Sequence, residues 1–213
     1  MHNSNAYKLK LVDQDALSKR KNVNIGSNLT SFSPDKKLWK AFKKGDEEAF
    51  IIIYEAHIDD LYSFGMQYCN KELVEDLIQD LFIQLREKRS GLPNITNSIR
   101  LFLFQCLKRR IFNYKKKRKP ITQTNLWEGF DFEMIPPVDE ALMMNEQIIQ
   151  DITRIDAALQ SLSKKHREII YYYFYLGMSY DEIKELLGYS NIKSARNMVY
   201  KTIKLLKKKV SKK

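Results

Sequence analysis

One stretch of this chain divides it in two. From Pro120 to Thr153 the sequence has no lysine or arginine, although the 213 residues carry 37 basic and 26 acidic side chains, a net charge of +11. The stretch is acidic and contains several breakers of helix, Pro120, Gly129, Pro136 and Pro137. Such a reversal of charge is typical of a linker. We therefore predict a flexible extension at 1–33, folded domains at 34–119 and 151–213, and an acidic linker at 120–150.

Both predicted domains show the helical period and no β alternation. Gly45 is expected to end a short first helix, and Asp46 to cap a long second helix. A third helix is expected at about 71–88 and a fourth at about 98–117, with a loop at 90–96 between them. The fold class is therefore all-α: two small helical domains, a helical bundle and a helix-turn-helix, joined by the acidic linker.

Several classes of protein do not fit this composition. No apolar run approaches the roughly 20 residues that span a bilayer, and the N-terminus has no signal-peptide core, so we expect a cytoplasmic protein without membrane insertion. Cys69 and Cys106 are far apart and indicate buried thiols, not a disulfide. With three scattered histidines the chain suggests no metal site, and we expect no cofactor, no small-molecule substrate and no catalytic residues.

The C-terminal domain has the pattern of a helix-turn-helix. Ser179 and Glu182 have the spacing of a capping box, and Gly188 is a natural left-handed stop after the short helix. We predict a turn at 189–193 and a second helix capped by Ser194. A helix fits the major groove, where polar side chains reach base edges. The candidate DNA contacts here are Lys193, Arg196, Asn197, Tyr200 and Lys201.

The predicted fourth helix becomes strongly basic along its length. Residues 106–119 contain eight lysines and arginines and no acid, with Phe112 and Tyr114 among them. Cations beside aromatic rings suit single-stranded nucleic acid, whose bases stack while its backbone meets the charge. Phe102 and Phe104 are interpreted as core. The candidate contacts to a single strand are Lys108, Arg109, Arg110, Asn113, Tyr114 and Lys117.

Four segments, in order along the chain, resemble RNA polymerase sigma factors of the extracytoplasmic-function (ECF) group, group 4 of the sigma-70 family. Residues 44–50 and 75–82 resemble the sigma-2 domain, whereas 161–168 and the helix-turn-helix at 179–206 resemble the sigma-4 domain. The missing middle domain of larger sigma factors makes the chain similar to the ECF group. The resemblance implies a factor that binds core RNA polymerase and directs promoter-specific transcription initiation, with an anti-sigma factor as a further partner.

The resemblance also implies a role for each helix. The third helix would dock on the polymerase through Asp76, Gln79, Asp80 and Phe82. The fourth helix and the loop before it would melt and hold the −10 element, and the second helix of the helix-turn-helix would read the −35 element. The linker would thread toward the active-site cleft of the polymerase.

The chain departs from the family pattern at several positions. Arg109 stands where the family usually has Asn, and Asn113 where it often has Asp, so the base preference is open. The turn of the helix-turn-helix is expected to be one residue longer than usual, and Lys184 replaces a preferred Ala. The alternative function, a free-standing helix-turn-helix regulator, explains the C-terminal domain but neither the acidic third helix nor the basic fourth helix.

Overall fold

The computed structural model describes residues 34–118, 132–134 and 146–211. The predicted flexible extension at 1–33 and most of the predicted acidic linker lie outside these residues. Within them every regular element is helical and no strand occurs, which confirms the all-α fold class. No helix in this part of the chain is both long and apolar enough to cross a bilayer.

Four helices form the N-terminal bundle: α1 Pro34–Lys43, α2 Glu47–Met66, α3 Lys71–Glu87 and α4 Ile99–Arg118, with a 3₁₀ turn Arg89–Gly91 after α3. Gly45 adopts φ 102°, and the Asp46 side chain accepts a hydrogen bond from the Ala49 amide at 3.1 Å. The turn and cap therefore follow the sequence prediction. The indole of Trp39 donates to the Pro93 carbonyl at 2.9 Å, which ties α1 to the loop before α4.

Large aromatic side chains fill the core of this bundle. Trp39, Phe42, Phe64 and Phe104 are almost completely buried, and each contributes about 1.5–3 kcal/mol by leaving water. Helices α2 and α3 approach closely at Gly65, where an added Cβ would lie 2.7 Å from Cγ1 of Val74. Phe102 packs against the same core, as expected.

The C-terminal bundle contains α5 Glu146–Gln160, α6 Lys164–Ile170, α7 Tyr180–Leu187 and α8 Ile192–Val210. A π-helical turn, Tyr171–Tyr175, continues α6. The capping box forms as predicted, since the Glu182 amide donates to Ser179 Oγ at 3.2 Å and Glu182 Oε2 accepts from the Ser179 amide at 2.9 Å. Gly188 takes the left-handed conformation, φ 68°.

The start of α8 differs from the prediction. Asn191, not Ser194, caps the helix, and its side chain accepts from the Ser194 amide at 2.8 Å. Both residues are good capping residues, but only Asn191 has the extended backbone that a cap requires. The connection is therefore the four residues 188–191, in place of the predicted turn at 189–193.

The two cysteines are free thiols and half-buried, in α4 for Cys106 and just after α2 for Cys69. Burial raises the pKa of both thiols. They are thus somewhat more accessible than the buried thiols that were expected, and no disulfide joins them.

Candidate nucleic-acid interface

Three surfaces contain the residues singled out by sequence. The first lies on α3, where Asp76, Gln79 and Asp80 are exposed. They lie on one face because residues three and four apart share a helix face. Phe82 is placed differently, since it is 4% exposed and its ring packs edge-on against Tyr54 at 4.8 Å. Phe82 therefore packs beneath the acidic face of α3 and is not itself exposed in this conformation.

Apolar side chains lie exposed near the acidic face. Ile83 on α3 is 47% exposed, and on α2 Ile51 and Tyr54 are 52% and 41% exposed. Isolated apolar residues on a surface are ordinary, but these accompany the carboxylates on two neighbouring helices. Sequence reasoning missed them. The run of three isoleucines at 51–53 was the available signal, because one amphipathic stripe cannot bury all three.

The second surface lies on α4. Arg109, Asn113 and Lys117 are exposed at intervals of four, so they form one polar stripe along the helix. Arg110 and Tyr114 are partly buried, and Arg110 donates to Gln84 Oε1 at 2.8 Å. The structure therefore brings three of the six predicted residues into line on an open face.

Lys108 points away from this stripe. It is 4% exposed as a residue, and its ammonium lies 2.8 Å from Glu168 Oε1 on α6 and 3.1 Å from the Tyr172 hydroxyl. The C-terminal bundle therefore covers Lys108, which was predicted to lie on the single-strand surface. The physical reason is helix geometry, since Lys108 follows buried Phe104 by four residues.

The third surface is the outer face of α8. Lys193, Arg196, Asn197, Tyr200 and Lys201 are all exposed, whereas Ala195, Val199 and Thr202 are buried against the bundle. Tyr200 is 58% exposed. All five predicted residues are therefore brought together at the start of a free helix face, which is the geometry that major-groove reading needs.

Two local interactions order this third surface. The Arg196 guanidinium lies over the Tyr180 ring at 5.5 Å, a cation–π contact that holds it near the first helix of the motif. The Lys184 ammonium lies 3.0 Å from Asp181 Oδ1 and 2.8 Å from Glu185 Oε1. Hydrogen bonds from Lys184 to Glu185 and Asp181 raise the pKa of the lysine. Both acids lie on α7, so the lysine is paired within its own helix.

A polar cluster buried between the two bundles was not predicted. The hydroxyls of Tyr68 on one side and Tyr172 on the other both donate to Glu168 Oε1, and the two hydroxyls lie 2.6 Å apart. The same oxygen pairs with Lys108. We call Tyr68, Lys108, Glu168 and Tyr172 the junction cluster.

Burial and pairing compete in setting the charge of this cluster. Burial alone would raise the pKa of the Glu168 carboxyl, but the Lys108 ammonium and the hydrogen bonds from both tyrosines together lower it below 4.5. Burial, together with the Glu168 charge, raises the pKa of Tyr68 and of Tyr172 well above its ordinary value. At neutral pH the cluster therefore contains a carboxylate that accepts hydrogen bonds from two neutral phenols.

Further contacts join the bundles around the junction cluster. The Asn97 amide donates to Asp181 Oδ2 at 3.0 Å, and the Ser98 hydroxyl reaches Glu182 Oε1 at 3.5 Å. Arg100 bridges Asp60 at 2.9 Å and the Leu176 carbonyl at 2.8 Å. The loop before α4 is thus held against the first turn of α7.

A piece of the predicted linker also lies at this junction. Phe132 is 2% exposed, with its ring 5.3 Å from that of Tyr68 and 5.7 Å from that of Tyr171. The Glu133 amide donates to the Gln67 carbonyl at 2.9 Å. The alternation of aromatic and acidic residues at 130–133 was the available signal in the sequence, and it was not used.

Among the described residues, no group of three or more histidines, cysteines, aspartates and glutamates is arranged to hold a metal ion.

Comparison with known proteins agrees with this arrangement. Residues 53–121 match the family model for sigma-70 region 2, and residues 152–206 match the model for sigma-70, region 4. A search of curated proteins finds no match. The structure is similar to CnrH in its complex with the cytosolic domain of CnrY, with a TM-score of 0.52, 17% identity, and coverage of 83% of this chain and 96% of that one. A chain of the RsbN–BldN complex gives a TM-score of 0.33 at 15% identity, over 80% and 97% of the two chains.

The two matched regions flank the acidic stretch and together take up more than half of the sequence. The chain belongs to the sigma-70 family, as a sigma factor that directs transcription initiation. Its partners are core RNA polymerase and promoter DNA. At 17% identity the likeness to CnrH shows the shared fold alone.

Proposed function

We propose that the three surfaces divide the work of initiation. The acidic face of α3 binds core polymerase through Asp76, Gln79 and Asp80. The stripe on α4 holds the −10 strand, and the outer face of α8 reads the −35 element. The domain at 34–119 carries the first two roles, and the domain at 151–213 carries the third.

The separation of charge is the observation that supports this proposal best. The α3 carboxylates are exposed in a chain of net charge +11, whereas the exposed side chains of α4 and α8 named above are cationic, amide or phenolic. Complementary charge guides encounter and fixes orientation, so the acidic face suits a basic protein surface and the other two suit DNA. Only a factor that binds protein and DNA at once uses all three.

The base contacts follow from side-chain chemistry. Arg196 presents a planar fork that matches guanine, and Asn197 presents the amide that matches adenine. On α4, Arg109 binds phosphate or guanine, while Tyr114 supplies a ring edge beside the strand. Lys117 and Lys193 contact phosphates and position the helices without reading sequence.

We further propose that the protein acts in the cytoplasm, without catalytic residues of its own. An anti-sigma protein is proposed as its regulator, since the similar CnrH was solved in complex with the cytosolic domain of CnrY. The linker at 120–150 is proposed to enter the polymerase cleft during initiation, once Phe132 leaves its place beside Tyr68.

The proposal is tested by mixing the purified full chain with bacterial core polymerase. The expected result is co-elution as a 1:1 complex and transcription from promoters selected by that complex out of a random DNA library. A chain that never joins core polymerase, and instead binds duplex DNA tightly alone at a palindromic site, contradicts it.

A further inference from the structure

We propose that Tyr180, stacked on Tyr173, is a positioning residue for promoter recognition, because it holds the Arg196 guanidinium so that it reads one guanine of the −35 element. The inference rests on the proposed role of α8 and deepens it. It gives the first helix of the helix-turn-helix a share in base selectivity, although neither tyrosine was among the predicted DNA contacts.

Three side chains from three consecutive elements contact one another in series. The rings of Tyr173 and Tyr180 lie nearly parallel, with centroids 5.5 Å apart and planes inclined by 12°, and their hydroxyls are 3.4 Å apart. Cζ of Arg196 lies over the Tyr180 ring, 5.5 Å from its centroid. We call these three residues the tyrosine–arginine stack. It joins the π-helical turn, α7 and α8.

Local structure holds the two rings in place. Tyr180 is the first residue of α7, directly after the cap of the capping box. Tyr173 lies in the π-helical turn, and such turns are rare and frequently occur at functional sites. Both tyrosines are half-buried, whereas Arg196 is exposed. The rings are therefore the fixed part of the stack, and the arginine, with its long unbranched side chain, is the part that they restrain.

The contact with the ring leaves the donors of Arg196 free for a base. An aromatic ring attracts a guanidinium through its π face, whereas the N–H groups of a guanidinium lie in its own plane. In the part of the chain that the structure describes, no hydrogen bond or ion pair uses the N–H groups of Arg196. Guanine presents O6 and N7 to the major groove, and a guanidinium matches them with two donors. The stacked arginine can therefore pair with guanine while it stays against the ring.

Restraint of this kind affects selectivity more than affinity. A free arginine loses the freedom of several torsions when it binds a base, and it can turn instead to a phosphate, which is present at every sequence. A guanidinium already held over a ring loses less freedom when it pairs with guanine. Loss of the ring should therefore weaken the preference at one base pair, while the phosphate contacts and the base contact of Asn197 persist.

The test uses the full chain assembled with core polymerase, and the promoter that the wild-type complex selects from a random DNA library. Each base pair of its −35 element is changed in turn, and affinity is measured by competition with a fluorescein-labelled copy of the selected promoter. Arg196→Ala and Asn197→Ala first locate the base pair that each residue reads. Tyr180→Leu is expected to reduce the preference at the Arg196 base pair by about three- to fivefold, the size of an exposed cation–π contact. The preference at the Asn197 base pair is expected to stay unchanged.

Three further variants separate a positioning role from a role in folding. Tyr180→Phe keeps the ring and is expected to keep both preferences. Tyr175→Leu makes the same substitution at a half-buried tyrosine of the same bundle that stacks on Tyr171, with centroids 5.8 Å apart, and it is expected to leave both preferences unchanged. In the Arg196→Ala background, Tyr180→Leu is expected to have no further effect at the Arg196 base pair, since no guanidinium remains to be positioned.

Two results overturn the stack alone. One is a Tyr180→Leu complex that retains the full preference at the base pair located by Arg196→Ala. The other is an equal loss of preference at every base pair, because the ring then supports the fold of the motif and not the arginine. If Arg196→Ala changes no preference at all, the proposed reading role of α8 fails together with the stack. Should circular dichroism show that Tyr180→Leu does not fold, Tyr180→Met, which fills the space with a flexible side chain and no ring, must give the same loss at that base pair, and its absence overturns the proposal.

Discussion

Lys108 and Glu168 belong to different bundles, yet their charged atoms lie 2.8 Å apart in an almost fully buried contact. Lys108 is the one cation of the junction cluster and Glu168 is its one anion, since the other two members are tyrosines. The pair therefore couples the position of α4 to the position of the bundle that contains α8.

This relationship predicts that acid opens the protein. Because the pKa of Glu168 is held below its ordinary 4.5 in the packed form, the separated form binds the proton more tightly. The stabilisation is therefore present above about pH 4.5 and is lost as pH falls through the lowered pKa. The scattering radius of wild type is expected to rise below pH ~4.5, and that of Glu168→Gln to change much less. Equal acid transitions in both proteins contradict the assignment to Glu168.

Gly65 is predicted to be required for the contact of α2 with α3. In Gly65→Ala the new methyl meets Val74, a stiff and fully buried side chain, at 2.7 Å. Overpacking costs about 1–3 kcal/mol, against the ~1 kcal/mol that alanine gains over glycine in a helix. A net loss of unfolding free energy is expected in urea titrations. Gly91→Ala is the control, since nothing lies within 4 Å of its added Cβ. A stabilised Gly65→Ala protein contradicts the close approach.

The capping box at Ser179 is predicted to stabilise the helix-turn-helix. Ser179→Ala removes the acceptor of the Glu182 amide and should cost about 1 kcal/mol of unfolding free energy. Ser90→Ala, at an exposed position after α3, should change it by less than ~0.5 kcal/mol. Chemical denaturation of both variants checks this. Equal losses would mean that the cap adds nothing to stability.

Local patterns predicted the helices because their signals are local. Asp46, Ser179 and Gly188 cap or end helices through atoms a few residues away, so spacing alone was sufficient. The inward and outward faces of α8 also followed from its period. The start of α8 was misplaced because Asn191 and Ser194 are both good capping residues, and backbone conformation decided between them.

The junction cluster depends on contacts that sequence separates widely. Tyr68 and Glu168 are 100 positions apart, and no periodicity within either segment pairs them. A partial signal existed, because Lys108 lies four residues after Phe104 and three before Ile111, on the buried stripe of α4. Contacts with the C-terminal bundle decide which lysine or arginine of this basic run turns inward. The sequence does not show those contacts.

The division of labour between α3 and α8 is the central claim, and paired substitutions test it most directly. Core-polymerase affinity and binding of the selected −35 duplex are measured for Asp80→Ala and Arg196→Ala, with exposed Asp59→Ala and Lys208→Ala as matched controls. We expect Asp80→Ala to weaken polymerase binding by about tenfold or more and to leave duplex binding unchanged. Arg196→Ala should cost ~1–3 kcal/mol at its base pair and leave polymerase affinity intact. If both variants lose the same activity to the same extent, the two surfaces do not have separate roles.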